Sequence, residues 1–318
     1  MRFKIETVKL AGIDCTDNTY RITTETNIDD LIASIKKIGL LNPPSLLKNN
    51  SAYSIVCGFR RMEACRRLGW SHVDARILDP GTQKADCARI AVTDNALQRP
   101  LNLIEQSRSL ALVSGFIKDD DMLAQELSAL GLPENQSVIK KIKKICRLSR
   151  CIQRAILADT VSLAMALELG RLAPDDAADF VELFENLKLS LNKQREILTL
   201  VQEIALREDL AIAEVLNENR LQAILNQTDL DKNQKTGIIR SYLKQRRFPT
   251  IISAERTFEQ LIKALKLPSG IKLIPPINFE GSIYTLRFNF SDLPELIDHK
   301  ATFDAITHNS YIKKILGR

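Results

Sequence analysis

Apolar and polar residues alternate through Met1-Arg-Phe-Lys-Ile-Glu-Thr-Val-Lys-Leu10, the period of a half-exposed strand. The period lengthens to that of an amphipathic helix from Ile28 to Ile38, where Gly39 supplies a stop and Pro43 and Pro44 force extended chain. Further strands are predicted near 45–48 and at Tyr53–Cys57, and a helix after Gly58. From about 83 to 215 almost every apolar residue recurs at three- and four-residue steps, as in Leu183, Leu187 and Leu191, and Pro100, Pro133 and Pro174 punctuate the helices. Beyond this the pattern predicts a basic helix over Lys232–Arg247 stopped by Pro249, and an amphipathic helix over Ile251–Leu267. Period-two strands at Ile271–Ile274 and Ser282–Phe290 then flank a Glu280-Gly281 turn, followed by short helices to Arg318.

At 318 residues the chain is long enough for two or three domains. We divide it into 1–100 (α+β), 101–228 (all helical) and 229–318 (a small α+β module), mainly helical overall. The net charge of +6 matters only where it is concentrated, and Lys140, Lys141, Lys143, Lys144, Arg147 and Arg150 fall within eleven positions. The six cysteines form no Cys-x-x-Cys pair and have no histidine partner at zinc spacing, which points to reduced thiols. The first residues lack the apolar core of a signal peptide and no run approaches membrane-spanning length, so the expectation is a cytoplasmic protein with no membrane partner.

Two stretches carry chemistry. In Tyr53-Ser-Ile-Val-Cys-Gly-Phe-Arg-Arg61 a strand passes through glycine into a helix start bearing two arginines. Free N–H groups and the positive dipole end favour an anion there, and the arginines add forked donors. The bland alternative is a solvated or salt-bridged surface. The second stretch reads as helix-turn-helix: Met122–Leu132, a turn at Pro133–Ser137, and Val138–Leu148, with Asp119 to Asp121 as caps. Val138, Ile142 and Ile145 form an apolar stripe, leaving the lysines for phosphates, while Gln136 and Ser137 are candidates for base contact.

Taken with Leu31-Ile-Ala-Ser-Ile-Lys-Lys-Ile-Gly-Leu-Leu-Asn-Pro-Pro44 and Thr93-Asp-Asn-Ala-Leu-Gln-Arg-Pro-Leu-Asn-Leu-Ile-Glu105, the glycine-arginine stretch resembles, in order and spacing, the three signatures of the ParB/RepB partition-protein N-terminal domain. The likeness covers roughly residues 1–175 and extends to the helix-turn-helix. It implies a ParB/sulfiredoxin-like α+β domain followed by an all-α DNA-binding domain. It further implies a CTP pocket, whose occupancy switches the protein between an open, DNA-loading form and a closed clamp. Carried over, Gly58, Arg60 and Arg61 cradle the triphosphate, Asn95 and Arg99 complete the phosphate and metal shell, Asp94 with Asn95 meets magnesium, and Arg21 approaches the ligand.

Two departures stand out. Asp94 takes the place of the family's glutamate, one methylene shorter, and Phe59 replaces the glutamate of the second signature, to pack against neighbours or a base. Both leave CTP hydrolysis, with Asp94 as its catalytic candidate, more open than CTP binding. The implied partners are double-stranded DNA, a second copy of the chain and a partition ATPase, in plasmid, chromosome or mobile-element maintenance. The alternative is a nucleotide-independent transcriptional regulator or adaptor with the same helix-turn-helix. Sulfiredoxin chemistry is disfavoured because Cys57 precedes the glycine and has no histidine neighbour. Nuclease chemistry is disfavoured for want of paired carboxylates, His72, His299 and His308 being scattered.

Overall fold

The opening alternation becomes strand β1 (Phe3–Lys9), of which only Val8 is buried, because β1 is an edge. After it come β2 (Ile13–Asp14), α1 (Asp29–Ile38), β3 (Ser45–Asn49), β4 (Ala52–Cys57), α2 (Phe59–Arg67) and β5 (His72–Leu78). The five strands form one mixed sheet in the order β1-β5-β3-β4-β2. β1/β5 and β3/β4 are antiparallel and β3/β5 and β2/β4 parallel, with Leu46 opposite Ile55 and Val8 opposite Val73. Leu46, Ile55, Val73 and Ala75 from the sheet close with Ile35 and Met62 from the two helices into one core. The computed structural model describes residues 3–49, 52–117 and 119–316.

Helices α3 (Lys84–Ala96), α4 (Leu103–Val113), α5 (Asp120–Ala129), α6 (Gln136–Ile142), α7 (Arg150–Leu157), α8 (Leu163–Leu169) and α9 (Pro174–Leu187) follow. Chain contacts gather everything up to Leu191 into one unit and Asn192 onward into a second, so the break lies inside the 101–228 segment of the sequence division.

The helix-turn-helix forms, with two corrections. The second helix does not run to Leu148. It ends at Ile142, and a 3₁₀ turn covers Ile145–Arg147. The cause lies outside the segment: the buried Ser107 hydroxyl of α4 donates to Ile142 O at 2.6 Å and accepts from Cys146 N–H at 2.9 Å. A hydroxyl thus sits between Ile142 O and Cys146 N–H, which would bond to each other if the helix ran on. One member of the apolar stripe differs: Ile142 and Ile145 are buried as expected, but Ile139 joins them in place of Val138, which is 36% exposed. Asn135 caps the helix start, its side chain accepting from the N–H groups of Ser137 and Val138. Asp119 caps α5 through Met122 N–H, as expected.

In the second unit, α10 (Leu191–Glu208), α11 (Ile212–Leu216), α12 (Asn219–Asn226), α13 (Lys232–Arg247) and α14 (Pro249–Leu265) precede a hairpin of β6 (Ile271–Ile274) and β7 (Thr285–Phe288), then α15 (Leu293–His308) and α16 (Ser310–Ile315). The basic α13 is largely neutralised: Arg240 and Lys244 share Glu196, Arg246 bridges Glu208 and Glu218, and Arg247 pairs with Glu203. The first hairpin strand has the predicted bounds, ended by Pro275 and Pro276, which cannot donate to a ladder, and a 3₁₀ turn at Ile277–Phe279 follows; the second is shorter than Ser282–Phe290, because it pairs only with the four residues of β6. Nor is α15 short. It runs for sixteen residues from a cap at Asp292, whose side chain accepts from Glu295 N–H.

Candidate functional site

Strand β4 hands over to α2 in a single residue. Gly58 adopts φ 93°, and a Cβ built there would lie 2.9 Å from Pro44 Cβ and 3.1 Å from Pro44 Cα. Only glycine fits both the torsion and the gap. The connection puts Arg60 and Arg61 in the first turn of α2, beside α3, which packs on β4.

One cavity of about 380 Å³ is lined by Gly58, Arg60, Arg61, Asp94, Asn95 and Arg99, bringing together six of the seven positions that the sequence assigned to nucleotide. Phe59 lines it too and packs against the domain core. The seventh, Arg21, is absent from this wall; its guanidinium lies 5.8 Å from the centre of the Phe59 ring.

Each arginine is held by protein acceptors. Arg61 reaches Asp94 at 3.0 Å and the carbonyl of Asn42 at 2.8 Å. Arg60 pairs with Glu25 at 2.7 Å and donates to Asn27 O, yet its Nε is buried with no partner among the described residues. Arg99 forms a two-pronged pair with Glu105, both bonds 2.7 Å. Asn95 donates its amide to Ala91 O, leaving its carbonyl oxygen for other use.

Glu105 was not among the sequence candidates and is the best-held acid of the site. It is fully buried and accepts from Arg99, Thr24 N–H and Asn102 N–H. Burial pushes its carboxyl up, but the bond from Arg99 and the two backbone N–H bonds outweigh that and hold it at about 2. A signal for it was available, because Asn102-Leu-Ile-Glu105 has the spacing of a capping box and forms one at the start of α4. Glu25 and Asn42 carried no such local signal.

Burial, and next the Asp94 charge, push the Cys57 thiol up, away from a nucleophilic thiolate. Among the described residues no group of three or more His, Cys, Asp or Glu is arranged to hold a metal ion, and no helix is long and apolar enough to cross a membrane.

The cations of the helix-turn-helix present a different picture. Lys140, Lys141, Lys144, Arg147 and Arg150 are exposed and Lys143 is half-buried. Among the described residues none of the six pairs with a carboxylate, in contrast to those of α13. Gln136 and Ser137 occupy the first turn of α6, and the Ser137 hydroxyl donates to Asn135 Oδ1 at 2.9 Å.

A family model described as the ParB N-terminal domain matches residues 3–96. The match covers less than a third of the chain. Among curated proteins, the chain is 30% identical over 185 residues to a nucleoid occlusion protein of Oceanobacillus iheyensis, covering 56% of this chain and 62% of that one. It is 23% identical over 177 residues to a probable chromosome-partitioning protein ParB of Helicobacter pylori, covering 56% and 59%. The matches thus span less than two thirds of either relative. Two crystal structures of C-terminally truncated Caulobacter crescentus ParB are also similar. The complex with CTP-gamma-S has TM-score 0.26 and 18% identity, covering 57% of this chain and 98% of that one. The complex with the centromeric parS site has TM-score 0.34 and 16% identity, covering 59% and 96%. The cavity described above is lined by residues within the family-model match, apart from Gln98 and Arg99 just beyond it.

Proposed function

We propose that the protein is a ParB-like DNA-binding protein whose N-terminal domain binds CTP, acting in partition of a plasmid, chromosome or mobile element as a homodimer in the cytoplasm. The observation that carries this reading is the convergence of Gly58, Arg60, Arg61, Asp94, Asn95 and Arg99 on one cavity. Two details support a phosphate ligand: the Gly58 junction places the first turn of α2, with its N–H groups, at the cavity, and Arg60 Nε is a buried donor with no partner among the described residues. In this reading α2 presents N–H groups, Arg60 and Arg61 exchange carboxylates for phosphate oxygens, and Arg99, fixed by Glu105, offers its remaining donors without having to be ordered first.

Magnesium fits only as a companion of the phosphates. Asp94 and the Asn95 carbonyl oxygen are two hard donors, too few for a protein cage but enough for an ion that takes its other ligands from a triphosphate and water. Asp94 must then give up Arg61. A partition ATPase is the further partner this reading requires.

Titration with CTP and ATP, with and without magnesium and DNA, tests the switch. CTP-selective, saturable binding is expected in the wild type and a loss of at least tenfold in Arg60→Ala, with basal DNA binding kept; phosphate release reports whether Asp94 and Phe59 permit turnover. One observation favours the nucleotide-independent regulator or adaptor: Arg60, Arg61 and Arg99 are already paired within the chain. Absence of CTP binding under every condition would select it.

The DNA half of the proposal rests on the unpaired cations of α6 and its flanks. Replacing Lys140, Lys141, Lys143 and Lys144 by alanine is expected to weaken DNA binding and to make the slope of log K against log salt shallower by roughly 3. Unchanged affinity would remove the helix-turn-helix from the interface.

A further inference from the structure

On the other side of the 22–23 segment from the nucleotide cavity lies a larger groove, about 1010 Å³, between the loop carrying Asn18–Thr26 and helices α4 and α7. Four arginines line it, Arg21, Arg108, Arg150 and Arg154, and no carboxylate does. Arg21, Arg150 and Arg154 are exposed, and among the described residues none of them pairs with an acid. Arg108 is set deeper. One of its terminal nitrogens donates to Ile22 O at 3.2 Å and to Thr23 O at 2.9 Å, which fixes the guanidinium while leaving its other donors unpartnered among the described residues. Burial, then the charge of Arg21, pushes Arg108 down from the usual arginine value, as expected where positive charge is gathered without compensation.

The remaining polar lining is neutral, from Asn18, Thr19, Thr23, Thr24, Thr26 and Gln153, and since the amide of Gln153 is spent on Cys146 O and Leu148 O and the hydroxyls of Thr19 and Thr24 on Asp17 and Glu105, the arginines are the principal donors to an anion. No aromatic ring lines the groove, so nothing offers a stacking platform for an unpaired base, and the chemistry suits a phosphate chain better than a single strand or a nucleoside. Arg150 is also the last cation of the helix-turn-helix cluster and the first residue of α7, and Arg154 follows one turn later on the same helix. The groove therefore continues the unpaired cation run of α6 with no acidic break.

We propose that this groove is a second contact with the sugar-phosphate backbone of double-stranded DNA, in which Arg21 of the N-terminal domain and Arg108 and Arg154 of the helical segment extend the footprint of α6. The inference rests on the DNA-binding reading above. Arg21 thereby serves the duplex, and the family-derived placement beside nucleotide is not needed to account for it.

The test is equilibrium binding to a fixed duplex of mixed sequence across a salt series, without nucleotide. The proteins compared are the wild type, Arg21→Ala/Arg154→Ala, Arg154→Lys and the four-lysine variant. The double variant is expected to bind roughly tenfold more weakly at low salt, with a slope shallower by roughly 2, while Arg154→Lys keeps the wild-type slope. Both substituted side chains are exposed and without a carboxylate partner among the described residues, Arg21 touching only Asn18 Oδ1 and the Phe59 ring, and an unchanged melting temperature confirms the fold. Wild-type affinity and slope in the double variant, alongside a loss in the four-lysine variant, would overturn the groove and leave the helix-turn-helix standing. A wild type that binds no DNA would overturn both.

Discussion

Glu105→Ala is expected to destabilise the N-terminal unit by about 3 kcal/mol, seen as a fall in melting temperature of roughly 10 °C. The carboxylate is fully buried and satisfies five groups from three places: both terminal nitrogens of Arg99, the N–H and hydroxyl of Thr24 in the loop before α1, and Asn102 N–H at the start of α4. Alanine removes an acceptor from every one of them. The cost stays at the low end for a broken buried pair because the Arg99 side chain is 39% exposed and regains some water. Glu105→Gln keeps the shape and part of the hydrogen bonding, so about half of the loss is expected.

The same residue gives the protein an acid limb. Its folded-state value of about 2 lies below the ordinary carboxylate value, so its contribution is fully present above about pH 5 and is lost as pH falls towards 2. The shift corresponds to about 3 kcal/mol. Melting temperatures recorded from pH 7 down to pH 3 should therefore fall more steeply in the wild type than in Glu105→Ala. Parallel curves would show that Glu105 does not carry the acid sensitivity.

Gly58→Ala is expected to abolish high-affinity nucleotide binding, raising Kd by well over tenfold, and to cost about 3 kcal/mol of stability. Alanine at φ 93° is strained in itself, and its Cβ meets Pro44 at 2.9 Å and Arg61 Nε at 3.2 Å. Pro44 is rigid, so the strand-to-helix junction must open, carrying the first turn of α2 and both arginines with it. Arg60→Ala should lose nucleotide response at nearly unchanged stability, since Arg60 makes partly exposed contacts. Calorimetric titration and thermal melting on the two variants separate the contributions. Wild-type nucleotide affinity in Gly58→Ala would mean that the glycine junction does not set the phosphate site.

How much of this was readable in the sequence depended on how local the cause was. The α1 stop at Gly39 and the strand-glycine-helix junction lie within a few residues of their determinants, and both were legible. So was the membership of Gly58, Arg60, Arg61, Asp94, Asn95 and Arg99 in one cavity, though only through resemblance. Asp94 and Arg61 are thirty-three positions apart and meet because α3 packs on β4, a tertiary event with no periodic trace. Glu105 left a trace in the Asn-x-x-Glu spacing, but its pairing with Arg99 depends on the turn at 97–99 between α3 and α4. One member of the α6 stripe was misread, Val138 for Ile139, because both are apolar and both stand at helical spacing from Ile142, so that tertiary packing and not periodicity chooses between them.

The hydroxyl of Ser107 wedged between Ile142 and Cys146 bears on modularity. The length of α6 is written in a residue thirty-five positions upstream, on a helix that is no part of the helix-turn-helix. Transplanting residues 119–148 into another scaffold would carry the side chains but not the rule that ends the helix, and the grafted segment would be free to run on past Lys143, rotating the cations that follow. The transferable unit for engineering is therefore the segment from α4 through α7, within which the boundary of α6 is specified.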